Sequence, residues 1–248
     1  MIAANETAIP TPSAPTFQRT YNWVPTQGMI SPAYGRRRAA LVDPKKANCN
    51  VGPGAPPYAG SDTTYLSAVD RDGNMVSLIQ SNFSLWGSGI AVEGGGFMLH
   101  NRGALFTLDP KSPNVLAPRK RPLHTIIPAL MTKGEVRIAF GIMGGFNQAQ
   151  AHAQFVSNVA DHGMNIQAAL EAARFTKASF AGCDLYAEAR IPAAVVEALA
   201  RRGHEVQQVG VFSGAMGSGQ AVMRDDRAGV NYGASDPRAD GQAIAEMP

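Results

Sequence analysis

An α+β fold is predicted for this chain, because paired strand patterns come first and helical patterns follow them. Alternation with a two-residue period begins at Thr63 and resumes after a tight-turn sequence at residues 70–73. Helical periodicity dominates from Gln148 onwards, with segments that stop at Gly163 and Gly203. The chain has 248 residues, of which 45% are hydrophobic, so it can bury one large core or two small ones.

The segments before the first strand carry little regular pattern. Residues 1–28 are rich in Pro, Thr and Ala and are expected to be irregular or extended. Residues 29–42 predict a short helix with Ser31 as its N-cap and Pro32 at its first helical position. Residues 45–62 are predicted to be a linker, whose glycines and prolines favour exposure and therefore cleavage.

Two hairpins, three helices and three late strands follow the linker. The first hairpin is expected to pair residues 64–69 with 74–81, and the second to pair 126–131 with 136–140. Helices are predicted at residues 148–161, 165–173 and 192–202, and late strands at residues 205–209, 220–224 and 230–232.

Composition excludes several classes of function. A net charge of +3 is too small and too scattered to indicate nucleic acid, and no apolar run approaches the ~18 residues of a membrane helix. The first residues do not form a secretory signal, which favours a cytoplasmic location, with a periplasmic one open for a longer precursor. Cys49 and Cys183 lie far apart in unlike contexts, so neither a disulfide nor a metal site is predicted.

The junction between Asp62 and Thr63 is the most informative feature of the chain. The stretch rich in glycine and proline ends there, and the strand pattern begins. If the backbone were cut at this bond, Thr63 would carry both a hydroxyl and a free α-amine. An α-amine with a pKa near ~8 can accept the hydroxyl proton at neutral pH. Taken alone, however, a threonine at the start of a strand is explained by strand sterics.

Two further segments contain residue types that active sites use. Gly144 and Gly145 lie between a predicted strand and a predicted helix, where backbone N–H groups could hold an oxyanion or a phosphate, or form only a tight turn. His124 and Thr125 precede a segment with the pattern of a buried strand and could line a pocket, although a lone histidine is more often structural. Neither segment alone decides between these alternatives.

Together, these segments resemble the γ-glutamyltransferase family. Thr63-Thr64 at the start of a strand, Arg121-Pro122-Leu123, Gly144-Gly145 and the closing residues 232–238 occur in the order and spacing of that family, from about Met29 to the C-terminus. The resemblance implies the fold of an N-terminal-nucleophile hydrolase, which is an αββα sandwich of two stacked sheets between helical layers. An incomplete version of that sandwich is expected here.

The resemblance also implies an enzyme that cleaves itself. The Thr63 hydroxyl would attack the Asp62 carbonyl to form an ester that water resolves, and the freed Thr63 would then attack an amide with its own α-amine as the base. Ser81 stands where the family has a threonine whose hydroxyl supports the nucleophile. Gly144 and Gly145 match the glycine pair that forms the oxyanion hole of the family.

The positions that bind substrate depart from the family pattern. Where the transferases hold glutamate with an asparagine, a glutamine and an aspartate, this chain has Phe83, Arg102 and Leu105, and His124-Thr125 replace a serine pair. Leu105 cannot pair with an ammonium group, whereas Arg102 can form a forked pair with a carboxylate, unless it is an exposed loop arginine. The pattern resembles the branch that includes cephalosporin acylases and oxamate amidohydrolases. It predicts hydrolysis of a small amide that bears a carboxylate.

The resemblance divides the chain at the predicted cleavage site. Residues 1–62 would be a remnant of the family's large subunit with the linker, and residues 63–248 the catalytic domain. A separate large subunit or a homo-oligomer is therefore expected as partner, and no cofactor or metal is required. Two other functions remain open, namely a true γ-glutamyltransferase or glutathione hydrolase, and an inactive fragment or interaction module.

Overall fold

The computed structural model describes residues 2–3, 30–49, 62–179 and 181–245, and the predictions for residues 4–29 and 50–61 lie outside the described residues. The described residues contain ten strands and four α-helices. In chain order these are β1 (Ile2–Ala3), α1 (Pro32–Ala39), β2 (Asp62–Val69), β3 (Met75–Phe83), β4 (Ala129–Lys133), β5 (Val136–Ile142), α2 (Gln148–Ala160), α3 (Ile166–Glu171), β6 (Phe175–Thr176), β7 (Asp184–Glu188), α4 (Ala193–Arg201), β8 (Glu205–Val209), β9 (Gly219–Asp225) and β10 (Val230–Ser235).

A five-stranded antiparallel sheet in the order β1-β4-β5-β9-β10 forms the centre of the fold. Its central strand, β5, is buried on both faces. Ile138, Phe140 and Ile142 belong to the main hydrophobic core, which they share with Phe155 of α2 and Leu170 of α3. The helices therefore cover one face of this sheet, and the alternating residues of β5 face the other side.

The β2–β3 hairpin covers that other face. The Tyr65 ring lies so close to the backbone of Gly141 that any side chain at residue 141 would overlap it. The Tyr65 hydroxyl is 2.8 Å from the hydroxyl of Ser77, and burial raises the pKa of Tyr65 to about 12. The described layers are thus hairpin, sheet and helices, which confirms the predicted α+β class.

The outer face of the same hairpin is apolar and open to solvent among the described residues. Leu66, Val76 and Leu78 are each about half exposed, at 47%, 52% and 50%. Isolated exposed apolar residues are normal, but three on one sheet face form a surface suited to another layer.

Three strands form a smaller sheet in the order β6-β7-β8, with β7 and β8 parallel and α4 between them in sequence. No strand was predicted at residues 184–188, because Asp184 and Glu188 at its ends hide the apolar alternation of a five-residue segment. The second hairpin was predicted to start at Ile126, but β4 starts at Ala129. Pro128 has no N–H to donate to a ladder, and the Ile127 N–H is bonded to the Gln148 side chain instead.

Cys49 and Cys183 form a disulfide, so the interpretation that the sequence indicates no disulfide was wrong. Their Cα atoms are 4.7 Å apart although 134 residues separate them in sequence. The segment before Cys49 lies against the end of α4, where the Ala47 N–H donates to the Arg202 carbonyl. The sequence could not indicate that the two cysteines are close, because their proximity depends on how the segment before Cys49 packs against the small sheet and α4.

His152 should make stability depend on pH between about 4 and 6.5. Its Nε2 accepts a 2.9 Å hydrogen bond from the Ile142 N–H, and burial, with the nearby Arg174 charge, lowers its pKa from 6.5 to about 4. Between these two pH values, His152 is therefore protonated in the unfolded chain but neutral in the folded chain. Protonation then favours the unfolded chain, so the free energy of unfolding falls as pH drops through this window. The free energy of unfolding is expected to fall by on the order of 3 kcal/mol, because the pKa of His152 differs by 6.5 − 4 = 2.5 between the unfolded and the folded chain.

Urea unfolding at a series of pH values measures this slope. His152→Gln, which can still accept from the Ile142 N–H, should flatten it. The exposed His162 provides the matched control, because His162→Gln should leave the slope unchanged. If the His152→Gln protein showed the same pH dependence as the wild type, His152 would not be the group responsible for it.

Candidate active site

A β-bulge lies at the start of β2, where the nucleophile was predicted. Thr63 pairs with Ser81 and Asp62 pairs with Phe83, so Asn82 is the extra residue of the bulge. The Thr63 hydroxyl donates a 3.0 Å hydrogen bond to the Ser81 Oγ, which also accepts from the Phe83 N–H at 2.8 Å. The structure therefore brings Thr63 and Ser81 together, and the backbone of Phe83 fixes the position of the Ser81 hydroxyl.

Phe83 connects the nucleophile strand with the other predicted site residues. Its side chain is buried, and its φ of 75° lies in the left-handed region that aromatic residues seldom adopt. The ring lies 4.8 Å from the guanidinium carbon of Arg102 and makes an edge contact with the ring of Phe146, at 6.5 Å between centroids. Phe146 directly follows Gly145. The Phe83 ring at the end of β3 is therefore in contact with two other predicted site segments, those of Arg102 and of the Gly144-Gly145 turn.

Arg102 is a buried cation and not an exposed loop arginine. Only 1% of the residue is exposed, and its Nη1 donates to the Thr125 hydroxyl at 3.1 Å. Its Nη2 has no hydrogen-bond partner among the described residues. Burial lowers the pKa of the guanidinium, which reflects the cost of holding its charge away from water. A buried cation of this kind is suited to an anion that approaches from outside the described residues.

His124 and Leu105 lie beside this cation. The His124 Nδ1 donates to the Pro122 carbonyl at 2.7 Å, and burial, with the charge of Arg102, lowers the pKa of its ring. The ring is therefore neutral at pH 7, with Nε2 as an acceptor. Leu105 is in the same short 3-10 helix as Arg102 and offers no polar group to a ligand.

The Gly144-Gly145 turn joins β5 to α2, as predicted from the sequence. Both glycines have positive φ, at 138° and 58°, and Gly145 is the first residue of a 3-10 turn that ends at Asn147, directly before α2. A Cβ at Gly144 would lie 3.2 Å from the Cα of Gly217, so a side chain there would also crowd the neighbouring segment. The first N–H groups of a helix lack partners within the helix and can stabilise negative charge.

A buried network of charges supports the segment beneath this turn. The Arg174 Nη1 donates to the Gly217 carbonyl at 2.9 Å, and its Nη2 pairs with the Asp236 carboxylate at 2.6 Å. The same carboxylate accepts from the Gly219 N–H at 3.1 Å. These contacts hold residues 217–219, against which Gly144 packs.

Two more buried residues complete this network. Arg238 pairs with Asp236 at 3.0 Å and with Glu188 at 2.7 Å, and the side chains of all three are 0% exposed. Residues 235–238 contributed to the family resemblance, but no structural role was predicted for them. The available signal was an acidic residue next to apolar ones, as at Glu188 at the end of β7.

The described part of the chain contains no group of three or more His, Cys, Asp or Glu side chains placed to hold a metal ion. The same residues include no helix long and apolar enough to cross a membrane.

The sequence and the fold are similar to those of known proteins. The family model described as gamma-glutamyltranspeptidase matches residues 15–246. The chain is 37% identical over 189 residues to the glutathione hydrolase-like YwrD proenzyme of Bacillus subtilis, covering 75% of this chain and 36% of that protein. It is 35% identical over 197 residues to the oxamate amidohydrolase proenzyme of Klebsiella pneumoniae, covering 76% and 37%.

Among solved structures, the cephalosporin acylase from Bacillus halodurans superimposes with a TM-score of 0.79 and 41% sequence identity. This match covers 91% of the present chain and 40% of the acylase chain. The chain therefore spans well under half the length of the relatives it matches, and the predicted fold is confirmed as a partial one.

Proposed function

We propose, on the premise that this chain belongs to the gamma-glutamyltranspeptidase family, that it carries the catalytic portion of an amidohydrolase whose nucleophile is Thr63. The observation that carries the proposal is the Thr63 hydroxyl, hydrogen-bonded to Ser81 at a bulge directly after Asp62. The names of the two curated relatives as proenzymes support cleavage at this junction.

The first step of the mechanism is self-cleavage. The Thr63 Oγ attacks the Asp62 carbonyl carbon, the peptide C–N bond breaks, and the hydroxyl proton ends on the departing amine. An ester now joins Asp62 to the Thr63 side chain. Water hydrolyses this ester, which leaves a carboxylate on Asp62 and restores the Thr63 hydroxyl beside a free α-amine. Ser81 keeps the hydroxyl aligned during both steps.

The second step is turnover of an external amide by the same hydroxyl. The α-amine of Thr63 accepts the hydroxyl proton as Oγ attacks the substrate carbonyl. N–H groups of the Gly144-Gly145 turn stabilise the tetrahedral oxyanion, a contribution of about 2.7–4 kcal/mol per donor in comparable sites. The proton passes to the leaving amine, and water then releases the acyl group as an acid.

Arg102 favours a substrate whose acyl group carries a carboxylate. Its Nη2, which has no partner in the part of the chain that the structure describes, and the hydroxyl of Thr125 provide donors on one side, and the Phe83 ring provides an apolar wall. Leu105 leaves no anion to pair with an α-ammonium group, which argues against ordinary γ-glutamyl donors. Similarity to a cephalosporin acylase and to an oxamate amidohydrolase supports this acylase-like assignment.

Glutathione hydrolysis is the second candidate, because a glutathione hydrolase-like protein is also among the relatives. A substrate panel separates the two. Faster turnover of a γ-glutamyl anilide than of a dicarboxylic monoanilide, with transfer to a dipeptide, would refute the acylase-like assignment.

Intact-mass spectrometry tests the proposed function itself. After reduction with dithiothreitol, the purified protein should give two masses, one for a piece ending at Asp62 and one for a piece beginning at Thr63, which together exceed the mass of the reduced uncut chain by one water. A chain that remains uncut in every preparation would support the inactive-fragment interpretation instead.

Arg102→Gln should raise the KM for a carboxylate-bearing anilide roughly 10- to 100-fold, because a hydrogen bond to a charged group contributes about 1.5–3 kcal/mol. The methyl ester of the same anilide should be affected far less. Steady-state kinetics of the processed protein with both substrates measure the difference. Arg71→Gln, at an exposed arginine, is the matched control. An equal loss with acid and ester would show that Arg102 has only a structural role.

A further inference from the structure

We propose that the disulfide between Cys49 and Cys183 keeps the two products of self-cleavage covalently joined. This inference rests on the proposed cleavage between Asp62 and Thr63. Cys49 lies 62 − 49 = 13 residues before the cut, and Cys183 lies 183 − 63 = 120 residues after it. The cross-link therefore spans the cleavage site and connects one residue of each product.

The structure places both cysteines on segments that backbone contacts hold in position. The Ala47 N–H donates to the Arg202 carbonyl, and the Glu205 N–H donates to the Cys183 carbonyl at 2.8 Å. Arg202 and Glu205 lie on either side of the turn between α4 and β8. The two cysteines are thus brought together at the end of the small sheet where β7 and β8 begin, with a Cα separation of 4.7 Å that suits a disulfide.

The turn before β7 fixes the Cys183 side of the cross-link. The Asp184 carboxylate accepts from the N–H groups of Ala178 and Ser179, and it pairs with the Lys177 ammonium at 2.8 Å. Residue 183 is therefore attached to a tightly bonded turn within the catalytic domain. Through the disulfide, Cys49 on the other product is held by the same turn.

The two chemical steps are independent of each other. Formation of the cross-link removes two electrons and two protons from the thiols, and a disulfide such as oxidised glutathione accepts them by exchange. Self-cleavage consumes one water and transfers no electrons. Cleavage therefore leaves the S–S bond intact, and a dithiol reductant is required to separate the pieces.

The cross-link also limits how far the new C-terminus can travel. The 13 residues from Cys49 to Asp62 reach at most about 45 Å when fully extended. Asp62 can therefore leave the Thr63 site and admit substrate, while its local concentration stays in the millimolar range typical of a short tether. In relatives without such a bond, only non-covalent contacts would retain the released segment.

Electrophoresis with and without reductant tests the proposal. The protein is purified without reductant, equilibrated with oxidised glutathione and alkylated before denaturation. Processed wild type should migrate as one species without reductant and as two with dithiothreitol. Cys49→Ser and Cys183→Ser should each give two species under both conditions, with cleavage still at Asp62 and Thr63. Wild type that separates without reductant would overturn the cross-link but leave the proposed function standing.

A second arm removes the dependence on self-cleavage. A specific protease site is inserted after Ala55 in the Thr63→Ala protein, which is then cut with that protease. On denaturing electrophoresis the pieces should migrate together until dithiothreitol is added, whereas with Cys183→Ser added they should migrate separately without reductant. Release without reductant in the parent protein would overturn the inference. Failure of wild type to cut itself, with linked pieces in this arm, would instead refute only the proposed function.

Discussion

Thr63→Ala should leave the chain uncut and abolish its amide hydrolysis. The substitution removes the side-chain oxygen that attacks both the Asp62 carbonyl and the substrate in the proposed mechanism. Loss of a catalytic nucleophile costs on the order of 10⁶-fold in kcat in comparable hydrolases. Intact-mass spectrometry measures the processing, and hydrolysis of a dicarboxylic monoanilide measures the turnover.

Two graded variants accompany this prediction. Thr63→Ser keeps a hydroxyl and should still process, more slowly, because the lost methyl group no longer restricts χ1. Ser81→Ala removes the 3.0 Å hydrogen bond to Thr63 and should slow processing without changing the site of cleavage. Normal processing of the Thr63→Ala protein would eliminate Thr63 as the nucleophile.

Asp236→Asn should destabilise the fold by about 3–5 kcal/mol, the usual result of removing one member of a buried ion pair. Asp236 pairs with Arg174 and Arg238, and none of the three side chains is more than 3% exposed. The substitution preserves the shape of the side chain, so the loss reports the uncompensated charge of the arginines. Equilibrium unfolding in urea measures the free energy directly.

An exposed ion pair provides the matched control. Arg71 and Asp72 approach to 3.8 Å with side chains that are 93% and 72% exposed. Asp72→Asn should therefore change the free energy of unfolding by no more than about 0.5 kcal/mol. Similar effects at the two aspartates would show that the buried network contributes little to stability.

The strands and helices with strong local patterns could be predicted from the sequence. The β2–β3 hairpin follows the two-residue alternation around its turn, and α2 follows a helical pattern that ends before Gly163. The strand at residues 184–188 could not be predicted, because the charged residues at its two ends leave too short an apolar alternation. The disulfide escaped prediction because 134 residues separate its cysteines and only the fold brings them together.

The candidate site shows the same division. The resemblance to the family named Thr63, Ser81 and the Gly144-Gly145 turn, whereas residue patterns alone left their roles open. Burial of Arg102 could not be predicted, since an arginine in a sequence rich in glycine is normally exposed. The network around Asp236 depends on residues more than 40 positions apart, such as Glu188 and Arg238, which only the fold brings into contact.

The pairing of Asp62 with Phe83 has a consequence for the timing of substrate binding. In the uncut chain, residue 62 continues β2 past the scissile bond and lies opposite the residue whose ring contacts Arg102. In the proposed mechanism, residue 62 therefore occupies the acyl site of the precursor, and a substrate can bind there only after cleavage allows that residue to leave. Competitive inhibitors shaped like the acyl group should therefore bind the mature protein and be excluded from the uncut one.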